Sequence, residues 1–557
     1  MGESSQVCQY QGRLNGFILP TNFFISSSMF ISPPFGGGRA PVLAKNSVAS
    51  SQPLATQAGI EALQNGGNAV DAALATAITL TVVEPTMNGI GGDGFALIWD
   101  GKKLHGLNAS GRAPAAWTPE YFAGKAAMDL IGWKTVTVPG VVAGWIELSR
   151  KFGKLPFAQL FKRAIDYAEN GFPVSPVIAR QWHEAVPVLK NEPGFSESFL
   201  LNGKSPAAGQ IWRYPAQAKT LKEIAATETA SFYKGSLAKQ MVDFAQVTGG
   251  CFTMQDFANY TTEWVEPLAF DYGEYTLHEI PPNGSGIAAQ IALGILEAAK
   301  VKQYPANSAK RIHLQVEAMR MAFADAYAYV SDSSSMKMPP SALLDKQYLA
   351  SRADLIDHNQ SGTYGPGDPH SGGTVYLCAA DQSGMMISYI QSNFKGFGSG
   401  VVAPGGIAFH NRGMSFSLVD GHPNQVAPGK RPFHTIIPAF LTKGNQPAMA
   451  FGVMGGNMQP QGHIQFVMRF VDEHLNPQAC SDAPRWRIDD LGKLTVEAAM
   501  PQSIIDGLKE LGHEVAIQPA NSLDFGSAQA IARLSEDTDT AYIAGSDHRR
   551  DGLAAGF

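Results

Sequence analysis

Thr374 follows the pair Gly372-Gly373 and opens the strand-like run Thr374-Val375-Tyr376-Leu377-Cys378-Ala379-Ala380, about two-thirds of the way along the chain. Cutting the Gly373–Thr374 bond would put a hydroxyl nucleophile and a free α-amine on one residue, and the amine could then act as base. An α-amine has a reference pKa of about 7.7–8.0, close enough to neutrality to take the hydroxyl proton and return it to a leaving amine, so no histidine is required. The chemistry implied is amide cleavage by an enzyme that first cuts itself, the Thr374 hydroxyl attacking the Gly373 carbonyl. The Gly372-Gly373 pair gives the backbone the freedom for the strained turn such an attack needs. Gly-Gly-Thr before a strand is also the pattern of an ordinary turn entering a pleated surface.

A second constellation complements the first. Ala448-Met-Ala-Phe-Gly-Val453 reads as a strand, Met454-Gly455-Gly456-Asn457 as a tight turn, and about Gln461 to Asp472 as a helix. Such a turn aims consecutive N–H groups at one point beside the positive end of a helix, and each donor to an oxyanion there is worth roughly 3–4 kcal/mol. A plain turn is the alternative. The glycines of Gly89-Ile-Gly-Gly-Asp93 lack the Gly-Lys-Ser/Thr ending of a phosphate loop and precede a strand, which argues against nucleotide binding and for the close passage of another backbone or a ligand. Cys8, Cys251, Cys378 and Cys480 are far apart with no CxxC spacing, so neither a metal site nor a cofactor is expected.

The elements that must position these residues alternate in type. A helix enters at Gln52-Pro53 and stops at Gly66-Gly67-Asn68; the next, from Val70 to about Val82, is apolar nearly all round and should be buried. Phe95–Trp99, an Asp100-Gly101 turn and Leu104 onward form a hairpin, and a helical layer runs from Val141 to Val247. A strand at Tyr275–Ile280 precedes helices at Ala288–Lys300 and Lys310–Tyr329; in the second, the stripe Ile312, Val316, Met319, Phe323 marks the buried face and leaves His313 and Glu317 solvated. Ser331–Ser371, rich in Ser, Pro, Gly and Asp, reads as a linker, after which Val375–Ala380 and Met386–Ile390 form another hairpin.

Composition sets the class. Over 557 residues only 16% are charged and 58 are Gly, which suits a compact enzyme with many tight turns. A net charge of −6 without Lys/Arg runs argues against nucleic acid, and no apolar run reaches the ~18 residues that span a bilayer. Residues 1–40 read as a disordered or non-native extension; this makes a cytoplasmic location the expectation, with a periplasmic or secreted one if the apolar stretches near Phe17 and Phe23 are a signal.

Taken in order, the blocks Gln52–Gly59, Gly66–Ala73, Gly89–Gly92, Val138–Gly144, Thr374, Gly398–Gly400, Pro428–Pro432, Gly455-Gly456 and Gly545–Gly556 resemble the γ-glutamyltranspeptidase-like family of N-terminal nucleophile hydrolases. The resemblance implies an α/β (α+β) four-layer αββα sandwich. It also implies self-cleavage between Gly373 and Thr374, with a large chain, 41–373, and a small chain, 374–557, staying together as one unit. It makes Thr374 the nucleophile and Gly455 and Gly456 the oxyanion donors. A higher oligomer is open, as is a non-catalytic family member, against which the intact Thr374, Gly455 and Gly456 speak.

Departures from the family pattern bear on substrate. Ser110 stands where the family's carboxylate-gripping Arg falls, with Arg112 displaced beside Ala113-Pro114, and the Asp-Asp-Phe-Ser segment reads Met414-Ser415-Phe416-Ser417. A glutamyl ammonium would be desolvated there with no charged partner. His434 and Thr435 replace the paired serines after Lys-Arg-Pro, while Gly455–His463 and Ile390–Asn393 resemble the acylase and oxamate amidohydrolase branch. The expected substrate is therefore a small amide with an anionic acyl part, oxamate first. The alternatives are γ-glutamyl transfer, glutathione hydrolysis and cephalosporin (glutaryl) acylase activity. Arg112 is the first candidate for the acyl carboxylate and Arg412 and Arg431 the others, since a guanidinium grips a carboxylate bidentately. Asn393, His434 and Thr435 are further candidates for the pocket, and His434 reads equally as a structural histidine.

Overall fold

The computed structural model describes residues 39–364, 373–489, 492–519, 522–534 and 540–557. Most of the 1–40 extension and Gly372 lie outside them. Two seven-stranded antiparallel sheets form the centre. One runs in the order Leu553–Gly556, Ser47–Ser50, Gly373–Ala380, Met386–Phe394, Asp93–Trp99, Leu104–Ala109, Glu263–Val265. The other runs Val42–Ala44, Tyr542–Ser546, Ser527–Arg533, Gln446–Met454, Ala439–Lys443, Tyr275–Glu279, Leu268–Tyr272.

Side-chain alternation shows how the layers stack. Tyr376, Cys378 and Ala380 join Ala450 and Met454 of the opposite sheet in one apolar layer between the sheets. Val375, Leu377 and Ala379 point the other way, into helices that include Ala69–Val83 and Val141–Phe152. Met449, Phe451 and Val453 face Ile287–Ala298 and Met458–Val471 on the far side. Strands covered on both faces carry apolar residues at every position, which is why these runs read as continuous rather than alternating. The result is helix, sheet, sheet, helix, the expected αββα sandwich.

Ala69–Val83 is buried at all fifteen positions. Asn68 caps it, its side chain accepting from Val70 and Asp71 N–H while Asp71 bonds back to the Asn68 N–H, a capping box. Each of Leu74, Ile78 and Leu80 buried there stabilises the fold by about 1.5–3 kcal/mol. The helix expected from Gln461 starts earlier, at Met458, because Pro460 falls in the first turn, where its missing N–H has no helical acceptor to lose.

Two expectations need correction. His313 and Glu317 are fully buried, since the polar side of Ala309–Tyr329 is covered by residues 361–364 and by His513. Residues 331–364 are also no open linker: Pro340–Leu343 and Lys346–Ala353 are helices whose Leu343 and Leu349 enter the core. Among the described residues no helix is long and apolar enough to cross a membrane, and Cys251, Cys378 and Cys480 are free thiols.

Candidate active site

Gly373 pairs with Phe394 across the hairpin, and the register shifts between Gly373 and Val375, so Thr374 sits at an irregularity in the ladder. Such bulges re-aim a side chain. Thr374 is fully buried; its Oγ1 donates to Ser392 Oγ at 3.4 Å and accepts from Gln459 Nε2 at 3.2 Å. Gln459 is itself fixed, its Oε1 accepting from Ile437 N–H at 2.9 Å. It lies three residues beyond Gly456, so the helix that follows the glycine turn also delivers a donor to Thr374.

The turn has the backbone its glycines suggest. Gly455 has φ 124° and Gly456 φ 60°, conformations that side-chain-bearing residues rarely adopt. A Cβ on Gly455 would lie 3.1 Å from Gly526 Cα and 3.2 Å from Met458 Cβ.

The dense glycines before Asp93 make room for backbone. A Cβ at Gly91 would stand 2.4 Å from Ala408 O, and one at Gly92 2.8 Å from Ser392 O. That close approach lets Asp93 pair with Ser392 on the strand beside Thr374's, at the edge of a buried polar cluster. His434 Nδ1 accepts from Ile436 N–H and His410 Nδ1 from Arg412 N–H, which leaves the His434 Nε2–H directed at Asp93 Oδ2 at 3.1 Å, with His410 Nε2 lying 3.6 Å from Asp93 Oδ1. Burial first, then Arg412, hold both imidazoles below their ordinary range, His410 at about 3. A neutral His434 therefore donates to Asp93, while His410 Nε2 pairs with Thr137 Oγ1 at 3.3 Å.

Burial pushes Asp93 up to about 7 from an ordinary 3.8, against the pull of Arg412. A carboxyl whose folded pKa is raised stays protonated in the folded protein while the unfolded chain has ionised. Its contribution to stability is thus complete below about pH 4 and lost as pH rises through 7. Asp93→Asn should flatten that loss: from pH 5 to 8 the stability of the variant relative to wild type should rise by order 2–3 kcal/mol, read from paired thermal melts. A pH-independent difference between the two proteins would refute the raised pKa.

Arg412 is buried, and burial pulls it down to about 9. Its guanidinium lies 3.8 Å over the Phe394 ring and Nη1 donates to Thr435 Oγ1 at 2.9 Å. Nε and Nη2, the two N–H positions on one edge of the group, have no hydrogen-bond partner among the described residues, and neither do Oδ1 and Nδ2 of Asn393. Phe394, the ladder partner of Gly373, has φ 76°, a left-handed conformation for an aromatic residue, which places strain directly across the hairpin from Gly373.

The other two arginines are engaged. Arg112 is half-exposed, donating to Gly429 O at 3.1 Å and lying 3.6 Å from Asp332. Arg431 is buried against Glu263 and Ser110 O. Ser110 bonds to Asn108 Oδ1 at 2.7 Å and takes part in a network with Asn283. Of the site residues, Asp93, Ser392, His410 and Gln459 escaped sequence reasoning. Gln459 stands inside a motif already singled out and Asp93 ends the glycine run, so position relative to those glycines was the available signal.

The profile of the Gamma-glutamyltranspeptidase family matches residues 55–557. The chain belongs to that family. Membership makes it an N-terminal nucleophile hydrolase acting on amide bonds. It is 35% identical over 522 residues to the glutathione hydrolase-like YwrD proenzyme of Bacillus subtilis, covering 92% of this chain and 98% of that one. It is 35% identical over 518 residues to the oxamate amidohydrolase proenzyme of Klebsiella pneumoniae, covering 90% and 97%. The crystal structure of cephalosporin acylase from Bacillus halodurans superposes with a TM-score of 0.88 at 44% identity, over 94% of this chain and 98% of that one.

Proposed function

We propose that this family member matures by cutting its own Gly373–Thr374 bond and then hydrolyses a small amide whose acyl part carries a carboxylate and no α-ammonium, with oxamate the leading substrate. Thr374 is the nucleophile, its freed α-amine the base, and the N–H groups of Gly455 and Gly456 the oxyanion donors. Gln459 orients the Thr374 hydroxyl. After attack the amine of the substrate leaves with the proton that the α-amine took, and water releases the acyl group by the same route.

The observation that carries the substrate reading is the free Nε/Nη2 edge of Arg412. Buried polar groups without partners are rare and each costs about 1–3 kcal/mol. A carboxylate fits that edge with two parallel N–H···O bonds, and a ligand amide can meet Asn393, while Thr435 holds the third guanidinium nitrogen. Arg412 thus displaces Arg112 as the first candidate, because Arg112 and Arg431 already have acceptors. His434 supports the pocket through Asp93 rather than by holding substrate. The Met414-Ser415 segment brings no acid for an ammonium. Relatives named as an oxamate amidohydrolase and a cephalosporin acylase agree with this reading, and a relative named glutathione hydrolase-like keeps γ-glutamyl chemistry as the competitor.

Incubation of the mature enzyme with oxamate, glutaryl-p-nitroanilide and γ-glutamyl-p-nitroanilide decides between them. The first two should be turned over with kcat/KM at least about tenfold above the third, the minimum expected from one uncompensated buried ammonium. A γ-glutamyl substrate that outruns both would sink the proposal.

A further inference from the structure

His313 and Glu317 stand four residues apart on the helix Ala309–Tyr329 and so share one face, which buries them against His513 from 200 residues further along. His313 Nδ1 and His513 Nε2 are 2.8 Å apart, and one ligand atom from each of the three residues lies within 4.8 Å of the others. We propose that His313, Glu317 and His513 bind a divalent first-row transition-metal ion of the zinc type.

The groups around the cluster prepare it for an ion. His313 Nε2–H donates to Asp357 O at 2.9 Å, which fixes the tautomer with the Nδ1 lone pair turned toward His513, the outer-shell arrangement that metal-binding histidines use. Both imidazoles are buried in the fold with their facing nitrogens within reach of one ion. Glu317 Oε2 accepts from Gly362 N–H at 2.7 Å and Tyr364 OH at 2.8 Å, Ser361 Oγ approaches Oε1 at 3.4 Å, and Arg320 Nη1 lies 3.6 Å from Oε1. Arg320 takes up part of the carboxylate charge. The site therefore favours an ion that binds imidazole nitrogen over Ca2+ or Mg2+, which rely on carboxylates.

At a metal–nitrogen distance of about 2.1 Å, ligands at right angles are about 3.0 Å apart and tetrahedral ones about 3.4 Å. The imidazole pair is near the first spacing and opens by roughly half an ångström for the second. Two histidines and a carboxylate leave positions for water, and Ser361–Tyr364 beside them are the last described residues before Gly373. If the chain is cut at Gly373, the ion bridges the two product chains. Metal binding itself does not depend on that cut, and the uncut Thr374→Ala protein should bind equally.

The test uses protein freed of its affinity tag, stripped with EDTA, dialysed against Zn2+ and then against metal-free buffer. Elemental analysis should find about one zinc per chain in wild type and a loss of most of it in His513→Gln, with zinc raising the melting temperature of wild type alone. Should His513→Gln not fold, Co2+ added to the stripped wild type should give visible d–d bands that zinc abolishes. Wild type retaining no more zinc than His513→Gln, or showing no cobalt bands, would overturn the site.

Discussion

Thr374→Ala should yield one uncut chain where the wild type runs as two bands on a denaturing gel, the smaller beginning Thr-Val-Tyr-Leu. Activity should fall by a factor of order 10⁴ or more, the scale on which removal of a catalytic nucleophile is felt. Both losses would follow from one atom, because in the proposed mechanism Oγ1 serves first against Gly373 and then against substrate. The variant should still fold: it keeps the strand Gly373–Ala380 and its pairing on both sides, and forfeits the hydrogen bonds with Gln459 and Ser392, about 1–3 kcal/mol. Thr374→Ser restores the hydroxyl and should restore cutting. Normal processing in the Ala variant would place the scissile bond elsewhere and remove the basis for naming Thr374 the nucleophile.

The local features that lead to Thr374 are those that depend on neighbours in sequence. An Ala-rich run apolar on every side has to be a buried helix, and Ala69–Val83 is one. Gly455 and Gly456 adopt the positive φ angles that their residue type permits. What could not be read was the result of segments meeting from far away. His313 and Glu317 lie on the polar side of their helix, and periodicity assigns that side to water; a further layer built from residues 361–364 and 513 covers it. Asp93 looks like the end of a turn until His434, 341 residues on, is seen to donate to it. Among Arg112, Arg412 and Arg431, residue type is the same and only the partners differ: two find acceptors in the fold, and Arg412 keeps an unpaired edge. Sequence identifies groups able to grip a carboxylate, but the folded chain determines which of them is unoccupied.

Arg412→Met is the variant in which that difference should be most visible. Truncating one side of a buried, hydrogen-bonded charge pair costs about 2–5 kcal/mol, so kcat/KM for oxamate should drop by a factor of roughly 30 to several thousand. An amide with a neutral acyl group of similar size has no carboxylate to lose and should be affected far less. Self-cleavage should persist, since its acyl donor is the Gly373 carbonyl. Arg412→Lys keeps the charge but not the two-pronged edge, so it should recover only part of the loss. A purely structural Arg412 would instead lower turnover of both substrates together and impair processing. Asp93 supplies a second readout: Arg412 is the first of the charges that lower its pKa, so without the guanidinium the carboxyl should titrate higher still. A pH–rate profile on the neutral amide would then shift upward in Arg412→Met if Asp93 must be ionised to hold His434, and stay in place if the neutral carboxyl holds it equally well.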